Sequence, residues 1–214
     1  MAEINRIRAE GEIIATGVSY EDFLTGFDGQ RVEWVYGDVV QMSPVSKKHN
    51  DITVFLTLVF KAYLGKTGGG EVLHDPMTMR PGTDLPGRAP DIQVVLPENT
   101  AIIKENEVAG AADLVVEVVS PGSHRQDRVV KFYEYEKAGV KEYWILDAVR
   151  EESLFYQLNE KSVFEHVEPD ENGIYHSKVL PRLRLDVNIF WRESLPEFWE
   201  IAEMVAAMLE DKTE

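Results

Sequence analysis

Cysteine is absent from the 214 residues, which removes disulfides, thiolate–zinc and iron–sulfur centres and any cysteine nucleophile in one step. A metal held by this chain must rest on carboxylate, carbonyl or imidazole groups. No apolar run approaches the roughly 20 residues of a membrane span. Nothing at the start has the basic and apolar regions of a secretory signal. The chain is therefore expected to be soluble and cytoplasmic, with no membrane partner. Repeats, low-complexity tracts and linkers are missing too, so a single domain over 1–214 is the economical expectation. Basic residues are scarce: 22 Lys and Arg face 38 Asp and Glu, a net charge of −16. Proteins that neutralise phosphates usually carry a basic footprint, so the bulk charge argues against tight nucleic-acid binding. The deficit is uneven, however. Residues 151–214 carry 15 acidic and 6 basic side chains, whereas 121–150 carry 5 and 6. Net charge speaks to solubility more than to the chemistry of one local site.

Hydrophobic residues at 44% and charged residues at 28% are ordinary for a globular chain, with mixed helix and strand signals. Ser19 before Glu21 and Asp22 is a helix start, and Phe23, Leu24 and Phe27 supply its stripe before Gly29. Runs 31–36 and 39–42 flank Gly37-Asp38 and predict a hairpin with a tight turn. A long helix is expected from about Lys48 to Lys66, with apolar residues every three or four positions until Gly68-Gly69-Gly70. A strand from Glu71 to Met79 and a Pro/Gly-rich loop follow. Then come two β-branched runs, Asp91–Leu96 and Asp113–Val119, separated by a polar loop. Arg125 to Ala138 reads as a helix with Val129, Val130, Phe132, Tyr133 and Tyr135 inward and Gly139 as its stop. Glu142–Asp147 and Ser153–Gln157 read as paired strands, with shorter strands near 162–167 and 175–179. The acidic segment 194–210 is expected to be helical from about Pro196 to Leu209. Its stripe of Phe198, Ile201, Met204, Val205 and Met208 packs either on its own domain or on a second copy, a homodimer.

Two carboxylates stand out. Asp91 heads an apolar strand, and Glu117 lies inside Leu114-Val-Val-Glu-Val-Val119. A buried carboxylate costs several kcal/mol unless something positive, or a proton, accompanies it. If the two strands are neighbours, Asp91 and Glu117 converge at one sheet edge, an all-oxygen site suited to Mg²⁺ or Mn²⁺. A structural salt bridge from Glu117 to a nearby Arg or Lys is the alternative. Asp127 and Lys131, at i and i+4, share a polar helix face. That Lys can face a developing negative charge, or the two can form a surface ion pair. His124 and Arg125 either touch a phosphate or belong to a solvated loop. The remaining histidines lack metal-ligand spacing.

Pro90-Asp91, Glu117-Val-Val-Ser120-Pro121, Asp127-x-x-x-Lys131, Tyr133 and Ala138–Asp147, in this order, together resemble the Uma2 family, the restriction-endonuclease group within the PD-(D/E)xK nuclease superfamily. The hairpin from Val32 to Pro44, with His49 opening the long helix, is similar to its N-terminal half. The resemblance spans roughly Tyr20 to Phe190, about residues 20–190. It implies an α/β (α+β) fold: a restriction-endonuclease-like mixed β-sheet core flanked by helices, with an N-terminal hairpin and extra C-terminal strands. The long helix would lie on one face and the 125–138 helix on the other. It further implies Mg²⁺- or Mn²⁺-dependent hydrolysis of nucleic-acid phosphodiesters, with Asp91, Glu117 and the Val118 carbonyl holding the metal and Lys131 completing the catalytic set. One departure stands out. The superfamily's usual lysine lies two residues after the second acid, where this chain has Val119, and Lys131 resembles a lysine migrated to the next helix. Glu33 matches a position for an additional acid, and His49 one for a pocket polar group, a capping or packed histidine being the alternative. Ser120 and Asp127 are further pocket candidates. The alternative function is a catalytically inactive nuclease-fold module serving as a binding or dimerisation platform, because fold does not guarantee chemistry.

Overall fold

The computed structural model describes residues 11–120 and 125–210. Strand β1 (Glu12–Ala15) precedes helix α1 (Tyr20–Gly26), which starts where the Ser19 side chain accepts the Asp22 N–H. Strands β2 (Val32–Val35) and β3 (Asp38–Gln41) form the expected hairpin, and β1 adds to the far edge of β3. The turn sits one residue earlier than the sequence suggests, at Tyr36-Gly37, because Asp38 pairs with Val35. Both turn residues take positive φ, +52° and +97°, as a two-residue turn of this twist demands. Strand β1 escaped the sequence reading because it is an exposed edge, with Ile13 and Ile14 open to solvent, so it carries no buried alternation.

Helix α2 (Lys47–Thr67) begins at the Ser46 cap and ends at Gly68, which takes a left-handed conformation. The expected strand 71–79 is two strands. β4 (Glu71–Leu73) joins the main sheet, and β5 (Thr78–Met79) leaves it to pair elsewhere, because Pro76 lies between them without a donor for a ladder. Strand β6 (Ile92–Val95) follows the Pro/Gly loop, then a 3-10 turn (Pro97–Ile102), β7 (Glu107–Val108) beside β5, and β8 (Leu114–Val119). A π turn, Gln126–Lys131, runs into helix α3 (Phe132–Ala138). Strands β9 (Glu142–Asp147), β10 (Glu152–Leu158) and β11 (Phe164–His166) complete the large sheet. β12 (Ile174–His176) and β13 (Arg184–Asp186) pair separately before helix α4 (Phe198–Glu210).

The large sheet has the order β11-β10-β9-β8-β6-β4. Only β8 and β9 run parallel within it, and the π turn with α3 is the crossover that a parallel pair needs. Side chains alternate between its faces. Ile92, Val94, Leu114, Val116, Val118, Trp144 and Leu146 pack under α2, together with Ile201, Val205 and Met208 of α4. Val95, Val115, Val119, Tyr143 and Ile145 face the opposite way, toward Tyr135 of α3. The acidic C-terminal helix therefore buries its stripe on its own chain, while Phe198 at its start is exposed. No helix among the described residues is long and apolar enough to cross a membrane.

Glu142 ties the outer strands to this core. Fully buried, it accepts at Oε1 from Trp144 Nε1 and the Tyr175 hydroxyl (both 2.7 Å) and at Oε2 from Ser177 Oγ and the Lys178 and Val179 N–H groups (3.0, 3.0 and 2.9 Å). Truncation strands several buried donors at once. Glu142→Ala is expected to lose about 3–5 kcal/mol of stability, read from the shift of the urea midpoint. A shift worth under about 1 kcal/mol would contradict this role.

Candidate active site

The antiparallel register pairs Ile92 with Val116, so one step further Asp91 stands opposite Glu117, on the sheet face that α3 covers. Asp91 Oδ2 accepts the Val118 N–H at 2.7 Å and meets His49 Nε2 at 3.1 Å. His49 comes from the first turn of α2, buried, its own N–H given to the Ser46 cap. Lys131 reaches in from the π turn. Its Nζ lies 2.9 Å from Glu117 Oε1, 3.2 Å from Glu33 Oε1 and 3.3 Å from Asp127 Oδ1. The Tyr135 hydroxyl donates to Glu117 Oε1 at 2.7 Å. Glu33, His49, Asp91, Glu117, Val118, Ser120, Asp127 and Lys131, all singled out in the sequence, line a single cleft of about 80 Å³. His124 lies outside the described residues, and Arg125 is exposed at the edge of the helix.

The π turn explains an error in the inward face read from the sequence. Val129 and Tyr133 point to solvent, 41% and 64% exposed, while Gln126, Asp127, Lys131 and Tyr135 are buried. The added residue per turn rotates the polar positions toward the sheet, as single π turns at functional sites often do. The sequence also missed Arg88, a lone arginine in a Pro/Gly loop with no periodic neighbours. It is buried, with Nη1 on Glu33 Oε2 (2.8 Å) and Nε and Nη2 on Glu134 (2.7 and 2.8 Å). Gly87 holds that loop to the hairpin through reciprocal backbone bonds with Trp34 of 2.8 and 2.9 Å. A Cβ there would come within 2.9 Å of Thr78 and Tyr20.

Burial pushes the pKa of both Glu33 and Glu117 upward, and the neighbours decide the outcome. At Glu33 the Lys131 and Arg88 cations overcome burial and bring its pKa from 4.5 to about 2. At Glu117 burial wins: Lys131 opposes it, but Asp127, Asp91 and Glu33 add repulsion, so its pKa is raised well above the ordinary value. Burial alone would make Lys131 shed its proton, yet Glu117, Glu33 and Asp127 push its pKa well above normal. Lys131 therefore holds its proton more tightly than a free lysine, and Glu117 releases its own less readily than an ordinary carboxyl.

Among the described residues no three His, Asp or Glu side chains form a ready-made metal cage. The donors suit a hard cation that keeps most of its waters. No hydrogen bond among the described residues engages Asp91 Oδ1 or Glu117 Oε2, since the partners all converge on Oδ2 and Oε1. Two oxygen donors on adjacent strands are what Mg²⁺ commonly takes from a protein. A model of the Uma2 family, described as "Putative restriction endonuclease", matches residues 19–188.

The chain belongs to the Uma2 family. Its fold is also that of a solved chain from Anabaena variabilis, titled a putative nuclease belonging to DUF820. That chain is 17% identical with a TM-score of 0.61, over 75% of this chain and 89% of that one. No curated protein matches. Position 119, where the sequence resemblance leads to the expectation of a lysine, is in this Uma2 chain a valine packed in the apolar cluster with Val115 and Tyr135. The cation beside Glu117 is supplied instead by Lys131, at the end of the π turn that leads into α3.

Proposed function

We propose that this chain is a Mg²⁺- or Mn²⁺-dependent endonuclease hydrolysing nucleic-acid phosphodiesters. The single observation that carries the reading is the meeting of Asp91, Glu117 and Lys131 in one cleft. Asp91, Glu117 and the Val118 carbonyl are the groups that would hold the cation, which supplies Lewis-acid polarisation of the phosphate and a more acidic bound water. Lys131, fixed by three carboxylates, presents a positive charge to the negative charge that develops on the phosphate and needs no reorganisation to do so. Tyr135 and Lys131 both hold Oε1 of Glu117, and Oε2, which no hydrogen bond among the described residues engages, would be the oxygen left for the cation. Arg88 fixes Glu33, and through it the position of Lys131. Because the pKa of Glu117 is raised and a carboxylate must lose its proton to ligate, cation binding there would be proton-coupled.

The test uses labelled single-stranded DNA, duplex DNA and RNA at low salt with Mg²⁺ or Mn²⁺. Cleavage that disappears in Asp91→Ala, Glu117→Ala and Lys131→Ala but survives a distant surface change supports the reading. The metal should also raise the melting temperature of the wild type and leave Asp91→Ala and Glu117→Ala unmoved. Metal binding without cleavage of any of the three substrates would favour the catalytically silent module instead.

A further inference from the structure

A phosphodiester entering this cleft meets Glu33, Asp91, Glu117 and Asp127, so the chain must offer a cation that is not already consumed by them. Among the described residues lining the cleft, Arg31 and Lys131 are the two lysine or arginine side chains. Lys131 is ringed by three carboxylates. Arg88, just behind it, is buried and committed to Glu33 and Glu134. Arg31 differs from both. It is 36% exposed, and it gives both Nε (2.7 Å) and Nη2 (2.5 Å) to one oxygen, Asp75 Oδ2. Its Nη1 donates to no described residue. Asp75 does not line the cleft; it lines a separate cavity of about 300 Å³, together with Phe23 and Val32. The Arg31 backbone is pinned, its carbonyl accepting from the Met42 N–H (3.0 Å) and Gln41 Nε2 (3.1 Å), so the side chain can swing while the strand stays.

On the nuclease reading, we propose that Arg31 is the phosphate-binding arm of the cleft and that Asp75 competes with the phosphate for it. A guanidinium fork matches two acceptor oxygens, and Asp75 offers it one. A phosphate presents two, with the outer N–H groups of Arg31 directed to them. A partly exposed ion pair is held weakly, so an anion can displace the carboxylate. This gives a strongly acidic chain a local purchase on nucleic acid without a basic surface.

The two members of the pair should act with opposite sign. Binding of fluorescein-labelled single-stranded and duplex oligonucleotides is followed by anisotropy, with Ca²⁺ in place of Mg²⁺. Arg31→Gln is expected to weaken binding about tenfold, irrespective of sequence, and to lower the slope of log K against log salt by about one. Arg31→Lys should recover part of the loss. Asp75→Asn should tighten binding several-fold. Asp28→Asn, which removes the same charge from the rim of the neighbouring cavity, should change it by less than about twofold. If the pair is only a structural strut, both variants will shift binding in the same direction or not at all, and that overturns the proposal while the nuclease reading stands. Wild-type protein that binds neither oligonucleotide overturns both. Circular dichroism melts establish that each variant is folded.

Discussion

Lys131→Ala is expected to cut the cleavage rate by about 10²–10³-fold, the loss typical when a fixed charge facing the transition state is removed. It should also lower stability, by about 2–4 kcal/mol at neutral pH, because three buried carboxylates lose a shared counterion. The lower part of that range applies if Glu117, whose pKa already lies well above normal, takes up a proton in the variant. The pH dependence separates this from simple loss of packing. Glu33 titrates at about 2 in the folded chain against an ordinary 4.5. A depressed acid contributes stability that is complete above the unfolded value and is lost as the pH falls through the folded one. Removing Lys131 lets the Glu33 pKa rise back, so the gap between wild type and variant should be full above pH 4.5 and close toward pH 2. A gap that stays constant over that window, in urea titrations at several pH values, would mean that Lys131 acts through packing alone.

Arg88→Met carries the second large effect. The guanidinium joins hairpin residue Glu33 to helix residue Glu134 with three charged hydrogen bonds of 2.7–2.8 Å. Glu33 and Glu134 in turn hold its proton more tightly than usual, against burial. Breaking such a pair from one side leaves uncompensated charge and costs about 3–5 kcal/mol, a fall in melting temperature of about 10 °C for a chain of this size. The double variant Arg88→Met with Glu33→Gln should regain part of it, since the second change removes the stranded carboxylate. Catalysis should fall in Arg88→Met even well below its melting temperature, because Glu33 no longer fixes Lys131. Wild-type cleavage rates in the folded variant would show that the hairpin is no part of the site.

Much of this site was legible because its residues sit in patterns. Glu117 interrupts an unbroken β-branched run, Asp91 opens another, and Asp127 and Lys131 share a helix face by spacing. Those signals are local, and the antiparallel register of β6 with β8 does the rest. Arg88 left no such trace, because its meaning comes entirely from Glu33, 55 residues earlier, and Glu134, 46 residues later. The helical spacing marks Tyr135 only as an inward apolar residue; its ring does pack inward, but its hydroxyl belongs to Glu117. The fold was misread where local rules compete. Pro76 divided one apparent strand into two, the π turn sent Val129 and Tyr133 to solvent, and the exposed β1 and short β13 lack the alternation that buried strands display.

The central claim is that Asp91 and Glu117 share one divalent cation with Lys131 beside it. Anomalous diffraction from crystals soaked in Mn²⁺ tests this most directly. The account predicts one strong peak about 2.0–2.2 Å from Asp91 Oδ1 and Glu117 Oε2, with Lys131 Nζ still against Glu117. No peak in the cleft, or a peak held only by carboxylates elsewhere on this acidic chain, would contradict it.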